Sequence, residues 1–140
     1  MQHQSIIQRQ AELPPLYLPG MEIAPQSTGL PDPHYFYIYL LLTPKTRVPR
    51  YVGMTRNPPK RLVEHLSATG VARDVAGWIA AQRVLNRRPI MWLVDILASE
   101  QHARKAETKW LRICVARQGS FALLNHFPRL TRTPNERTSP

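Results

Sequence analysis

The chain has a single cysteine, Cys114, and no long apolar run. One cysteine excludes an intramolecular disulfide and a cysteine-based zinc site, and it is typical of a reducing compartment, so we expect a cytoplasmic location. The longest apolar run, Ile38 to Leu42, is far too short to span a bilayer. The polar N-terminus lacks the apolar core of a signal peptide. We therefore expect no membrane association.

Acidic residues are scarce, and the chain carries a strong positive charge. Nine acidic residues oppose 19 basic ones, which gives a net charge of +10, and 15 of the 19 are arginine. Arginine presents a planar fork of donors that matches phosphate, whereas lysine is a hydrated point charge. Nucleic acid is therefore the first candidate partner. A basic surface that is merely solvated remains the alternative.

Prolines mark both ends of the chain. Nine of the 14 prolines lie before residue 35 or after residue 126. Proline-rich segments without hydrophobic periodicity favour extended arms. We predict a Pro-rich N-terminal arm over residues 1–34, one folded domain over residues 35–126, and a basic, Pro-containing C-terminal tail over residues 127–140.

The central segment alternates between strand and helix patterns. Aromatic and β-branched runs predict strands, Asn57 before Pro58 is typical of a helix start, and Ser99 and Gly119 are expected to bound the last helix. The predicted elements are strands at 35–42 and 50–54, helices at 58–66 and 71–88, a strand at 90–97 and a helix at 100–117. This order, β-β-α-α-β-α, predicts a small α/β sandwich in which a mainly antiparallel three-stranded sheet is flanked by helices.

One carboxylate lies within the apolar stripe of the last predicted helix. Glu107 is one turn from both Ala103 and Trp110. Burying an unpaired carboxylate is costly. Two interpretations are open: a structural salt bridge, for which Arg61 is a candidate partner, or a carboxylate that lines a functional cleft.

Two short motifs in the predicted strands resemble the signature halves of the GIY-YIG nuclease family. They are Tyr37-Ile38-Tyr39 and Tyr51-Val52-Gly53. Further motifs follow in the family's order and with near-family spacing, and the likeness covers about residues 35–126. These are Arg61, eight residues after Gly53; His65, four residues later; Glu107; and Asn125, after Leu123 and Leu124.

The resemblance implies a metal-dependent endonuclease that hydrolyses phosphodiester bonds, with DNA as the expected substrate. It implies that Glu107 binds Mg²⁺ (or Mn²⁺) and that Arg61 steadies the scissile phosphate. Tyr39 would take or relay the proton of the attacking water, Tyr51 and His65 would organise that hydrogen-bond network, and Asn125 would support the site.

The first glycine of the family motif is replaced here by Tyr37, so either Tyr37 or Tyr39 could be the key tyrosine. Tyr39 is favoured because it lies twelve residues before Tyr51, close to the usual separation in the family.

The remaining predictions concern partners. No zinc finger or helix-turn-helix is recognisable, so target choice is expected to come from the basic surface, the arms, a protein partner or a homodimer. A nuclease-fold module that binds nucleic acid or protein without cleavage is the alternative function. The residues expected to line the nucleic-acid path are Arg56, Lys60, Arg83, Arg87 and Arg88.

Overall fold

Four antiparallel strands form the centre of the structure, a computed structural model that describes residues 20–25, 32–119 and 123–125. Their order across the sheet is β1-β4-β2-β3. The strands are β1 (Met21–Ile23), β2 (Phe36–Leu42), β3 (Pro49–Thr55) and β4 (Ile90–Leu97). The helices are α1 (Pro58–Leu66), α2 (Arg73–Val84) and α3 (Glu100–Gln118). Most of the predicted N-terminal arm and the predicted tail at 127–140 lie outside the described residues.

The prediction of an α/β sheet flanked by helices is confirmed, but the predicted number of strands was wrong. The fourth strand is β1, which pairs with β4 so that Met21 lies opposite Leu93 and Ile23 lies opposite Met91. Three residues are too few to show the alternation by which a strand is recognised in a sequence. The pairing depends on the edge that β4 offers, and the side chain of Ile23 is only 1% exposed.

The central strand β2 is buried on both faces, because helices cover each side of the sheet. All seven of its residues are buried. Phe36, Ile38 and Leu40 pack in one cluster with α3. Tyr37 and Tyr39 pack in a second cluster with α1 and α2. The alternation of a strand therefore directs these two tyrosines into the layer formed by α1 and α2.

The predicted ends of α1 and α3 are confirmed by their caps. The Lys60 N–H donates to Oδ1 of Asn57 at 3.2 Å, and α1 begins at Pro58. Ser99 caps α3 in the same way, and Gly119 ends it with a φ of 86°. By contrast, α2 does not extend to residue 88: it ends at Val84.

A left-handed residue explains the early end of α2. Asn86 has a φ of 57°, which a continuing helix does not allow. Leu85, the first residue after the helix, is 56% exposed. In the described part of the chain, no helix has both the length and the apolar composition needed to cross a membrane.

Candidate active site

A buried hydrogen bond joins β2 to α1. The Tyr39 hydroxyl oxygen lies 2.7 Å from Nε2 of His65, and both side chains are about 1% exposed. Their rings meet edge to face, with centroids 5.6 Å apart. Tyr39 reaches this position because β2 directs it towards the helices, and His65 because it lies on the inner face of α1 beside Leu62.

Tyr51 completes a cluster of three rings, here called the ring cluster (Tyr39, Tyr51 and His65). Its ring centroid lies 6.2 Å from that of Tyr39 and 5.6 Å from that of His65. Tyr39 pairs with Gly53 across the sheet, and Gly53 is two residues from Tyr51, so the two tyrosines share one face. The structure thus brings together three side chains that the sequence predicted as one site.

Gly53 leaves the space that the ring of Tyr39 occupies. A Cβ atom at this position would lie 2.4 Å from both Cζ and the hydroxyl oxygen of Tyr39. Real Cβ atoms do not approach other atoms so closely, so only glycine allows the ring to lie across β3. Gly53 was predicted only as part of the second motif, although a glycine inside a strand often marks such a close approach.

Tyr37 is engaged elsewhere. Its hydroxyl accepts a hydrogen bond from the Asp32 N–H at 2.7 Å and donates to the Asp32 carbonyl oxygen at 3.3 Å. It therefore anchors the segment that precedes β2. Of the two candidate tyrosines, Tyr39 is the one in the ring cluster.

Burial keeps both members of the Tyr39–His65 pair neutral at pH 7. It raises the pKa of Tyr39; Tyr51 raises this pKa further, and Arg61 opposes the rise. Burial also lowers the pKa of His65 to about 4, and the charge of Arg61 contributes to the lowering. If Tyr39 donates in this bond, His65 carries its proton on Nδ1, which is buried and has no partner among the described residues. If His65 donates, the hydroxyl proton of Tyr39 is free for another acceptor.

Arg61 lies one turn before His65 on α1, and Glu64 holds it in place. Nη1 of Arg61 donates to Oε1 of Glu64 at 2.9 Å and to the Gly70 carbonyl oxygen at 3.3 Å. Both bonds use Nη1, and the guanidinium also lies within hydrogen-bonding reach of the Tyr39 and Tyr51 hydroxyl groups. A guanidinium has five N–H donors in all. The positive charge also opposes the burial-driven rise in the pKa of Tyr51. Arg61 can therefore bind a phosphate while Glu64 fixes its position, a role for Glu64 that the sequence analysis missed.

Glu107 does not pair with Arg61. It is half-buried on α3, and within residues 20–25, 32–119 and 123–125 it makes no hydrogen bond or ion pair. Burial raises its pKa, and the charge of Arg104 opposes the rise. Helix α3 covers the opposite face of the sheet. Burial nevertheless raises the pKa of Tyr51, the charge of Arg61 lowers it, and the Glu107 carboxylate raises it by a smaller amount than burial does. It therefore lies within electrostatic reach of the ring cluster.

Any cation at Glu107 would have few protein ligands. The described residues contain no group of three His, Cys, Asp or Glu side chains arranged to hold a metal. Mg²⁺ tolerates this, since it commonly binds through one or two carboxylates and fills its other positions with water and phosphate oxygens. A half-buried carboxylate that has no partner among the described residues suits such an ion.

Asn125 acts on the backbone of β3. Its Oδ1 accepts from the Val52 N–H at 3.0 Å, and its Nδ2 donates to the Val52 carbonyl oxygen at 2.8 Å. The Leu124 N–H donates to the Arg50 carbonyl oxygen at 2.7 Å. Because β3 is an edge strand, these bonds satisfy groups that no neighbouring strand pairs. Asn125 thereby fixes the strand that carries Tyr51 and Gly53.

The five predicted nucleic-acid contacts form two groups on the surface. Arg83, Arg87 and Arg88 line a surface cavity of about 240 Å³, and the Arg83 guanidinium donates to the Leu66 carbonyl at the end of α1. Arg56 and Lys60 lie at the other end of α1. Six residues of helix, about 9 Å, lead from Lys60 to Leu66, the residue that Arg83 contacts.

Comparison with known proteins assigns no family. No protein-family model matches the chain, and no curated protein or solved structure matches it. The motifs and the geometry of the ring cluster are therefore the basis on which a function can be proposed.

Proposed function

We propose that the chain is a metal-dependent endonuclease of the GIY-YIG type that hydrolyses phosphodiester bonds in nucleic acid, with DNA as the substrate. The observation that carries this proposal is the buried Tyr39–His65 hydrogen bond, with Tyr51 packed against both rings. Arg61, on the same helix as His65, lies close enough to influence the pKa of Tyr39. These four residues come from two strands and one helix, and all four are among the six that the sequence motifs single out.

Hydrolysis of a phosphodiester requires an activated water, a neutralised phosphoryl group and a stabilised leaving oxygen. Arg61 supplies the charge that binds and orients the phosphate. Its ion pair with Glu64 limits the rotamers that it can adopt. A pre-organised guanidinium loses less entropy when it binds an anion than a free one does.

The Tyr39–His65 pair would move the proton of the attacking water. Tyr39 accepts that proton on its hydroxyl oxygen as its own proton passes to Nε2 of His65, 2.7 Å away. In the free protein His65 is a weak base, because burial lowers its pKa to about 4. A bound phosphodiester brings negative charge, which raises the pKa of a neighbouring imidazole. The pair would therefore become competent for proton transfer only with substrate in place.

Glu107 would hold Mg²⁺ (or Mn²⁺), with the remaining positions open to water and substrate oxygens. When bound, such an ion supplies positive charge that lowers the pKa of a coordinated water and neutralises the phosphoryl group. The half-buried position and raised pKa of Glu107 fit a carboxylate that lacks its cation. No lysine, arginine or histidine side chain among the described residues forms an ion pair with Glu107.

The two basic groups suggest a path for the nucleic acid along α1. Arg61 lies between Lys60 and Arg83, which stand near opposite ends of this helix. A polyanion that contacts both ends would therefore pass over Arg61. Phosphate contacts of this kind position a nucleic acid without reading its sequence.

The decisive experiment replaces Glu107 and a matched carboxylate on the same helix. Glu107→Gln is expected to lower Mg²⁺-dependent cleavage at least about 100-fold, while affinity for nucleic acid stays equal or rises because one negative charge is removed. Glu100 is paired with Arg104 on the outer side of α3, so Glu100→Gln should cut like the wild type. Cleavage of plasmid, branched, single-stranded and RNA substrates would be measured in Mg²⁺ and in chelator, with binding followed in parallel.

Two outcomes would reject the proposal. Wild-type cleavage by Glu107→Gln would remove Glu107 from the reaction. A wild type that binds these substrates but cuts none of them would establish the alternative function, a nuclease-fold binding module.

A further inference from the structure

Arg50 lies directly before Tyr51, and its charge has no ionic partner among the residues that the structure describes. Its guanidinium carbon is 5.6 Å from the ring centroid of Trp78. Its Nε is buried and has no hydrogen-bond partner among the described residues. A buried donor without an acceptor is unfavourable, so this guanidinium suits an anion that arrives from outside.

A β-bulge directs Arg50 towards the helices. Leu41 pairs with Tyr51, but Leu42 pairs with Pro49, so Arg50 is the extra residue on β3. In a regular strand, Arg50 and Tyr51 would point to opposite faces. The bulge breaks this alternation, and Arg50 reaches Trp78 of α2, which belongs to the same core cluster as Tyr39. Arg50 therefore enters the layer that contains the ring cluster.

Polar atoms on the face of α2 that carries Trp78 also lack partners within the described part of the chain. Nε1 of Trp78 and Oε1 of Gln82 are both buried and lack partners within the described residues. Trp78 and Gln82 are four residues apart, so they share one face of α2. The N–H groups of Arg50 and Trp78 are donors, and an anionic oxygen is the acceptor that both lack. The Gln82 side chain also carries an NH₂ donor that can turn towards such an oxygen.

We infer that Arg50 and Trp78 form a subsite for a phosphate of the nucleic-acid strand, next to the phosphate that Arg61 binds. The inference rests on the proposed function, because it assumes that a nucleic acid lies over the ring cluster. Arg50 and Tyr51 are consecutive, so a strand that reaches the ring cluster passes the guanidinium. The net charge of +10 favours a polyanion over an acidic protein side chain as the source of that oxygen.

Arg47 provides a matched control. It lies in the loop before β3, and its guanidinium carbon is 4.6 Å from the ring centroid of Trp92. Trp92, however, packs against the core cluster on the opposite face of the sheet. Arg47→Gln and Arg50→Gln each remove one positive charge and one cation–π contact, but only Arg50→Gln removes them from the layer of the ring cluster.

The test measures the salt dependence of binding in chelator, so that cleavage plays no part. The probes are a fluorescein-labelled DNA duplex and the corresponding single strand, and binding is followed by anisotropy as salt is raised fourfold. The slope of log K against log salt is negative, and the loss of one phosphate contact makes it shallower by about 0.9 for a duplex. The affinity of the wild type should therefore fall about 3.5-fold more than that of Arg50→Gln over this range. Arg47→Gln should keep the wild-type slope, and Arg50→Lys should retain most of it.

The outcomes separate this inference from the proposed function. A wild-type slope for Arg50→Gln, or equal losses for Arg47→Gln and Arg50→Gln, would overturn the subsite. A wild type that binds no nucleic acid would overturn the subsite and the endonuclease together. If only Arg50→Gln lowers the slope while neither the wild type nor any variant cuts a substrate, the subsite is supported and the endonuclease alone fails.

Discussion

The ring of Tyr39 lies across Gly53, so Gly53→Ala places a methyl group inside the candidate site. The new Cβ would be 2.4 Å from Cζ and the hydroxyl oxygen of Tyr39, and 2.8 Å from Cε2. Tyr39 is about 1% exposed and is hydrogen-bonded to His65. The ring has no free space to move into without losing that bond, so the substitution should cost both packing and the hydrogen bond.

The expected destabilisation by Gly53→Ala is about 2 kcal/mol. Forcing a methyl group into a filled core costs about 1–3 kcal/mol, and losing the Tyr39–His65 bond costs about 0.5–1.5 kcal/mol. Alanine recovers about 0.4–1 kcal/mol, because it restricts the unfolded chain more than glycine does. Gly53 does not have a positive φ, so backbone strain adds nothing to the cost.

A double-mutant cycle in urea would isolate this contact. In a Tyr39→Val background the ring is absent, so Gly53→Ala should be neutral or slightly stabilising, and the coupling energy should be about 2 kcal/mol. Gly77→Ala is the matched control: no atom lies within 4 Å of its Cβ position. In helix α2 this change should stabilise by about 1 kcal/mol. A coupling energy below about 0.5 kcal/mol between Gly53 and Tyr39 would refute the packing argument.

Two further predictions concern protons and phosphates. The pKa of His65 falls from 6.5 in the unfolded chain to about 4 in the folded protein. The unfolded state therefore binds more protons between these values, and stability should drop by up to about 3 kcal/mol as the pH falls through this window. Urea titrations of His65→Gln should give a flatter profile, and an unchanged profile would contradict the assignment. Replacing Arg83, Arg87 and Arg88 by alanine should lower the slope of log K against log salt by about 2–3, whereas Arg112→Ala, on the exposed side of α3, should not.

The features that could be predicted from the sequence depend on local spacing. Asn57 and Ser99 cap helices through contacts within three residues, which a sequence displays directly. The resemblance to the GIY-YIG motifs also predicted Tyr39, Tyr51 and His65 as one site, and their rings do lie together. Strand alternation and the helical turn fix only the face on which each side chain lies. Between Tyr37 and Tyr39 these periods do not discriminate, since both residues lie on one face. The spacing of twelve residues to Tyr51 favoured Tyr39, and the tertiary contacts place Tyr39 beside His65 and Tyr37 beside Asp32.

The features that were not predicted depend on contacts between segments that are distant in the sequence, or on which of several possible partners a residue binds. Glu64 and Glu107 were both available to Arg61, and the ion pair forms within α1, where the partner is three residues away and little chain entropy is lost. The strand β1 exists because β4 has a free edge, which no property of Met21–Ile23 reveals. The bulge at Arg50 is a mismatch between two strands, and a single strand's pattern cannot encode it.

The edge strand β3 carries two residues of the candidate site, Tyr51 and Gly53, and hydrogen bonds from Asn125 hold this strand in place. Asn125 bonds both backbone groups of Val52, the residue between Tyr51 and Gly53. An edge strand without such bonds would be free to shift against β2. A shift of one residue would bring a side chain opposite Tyr39 in place of Gly53, and the ring could not keep its bond to His65. Asn125 therefore influences the Tyr39–His65 pair without touching it, which gives Asn125 a physical role in the candidate site.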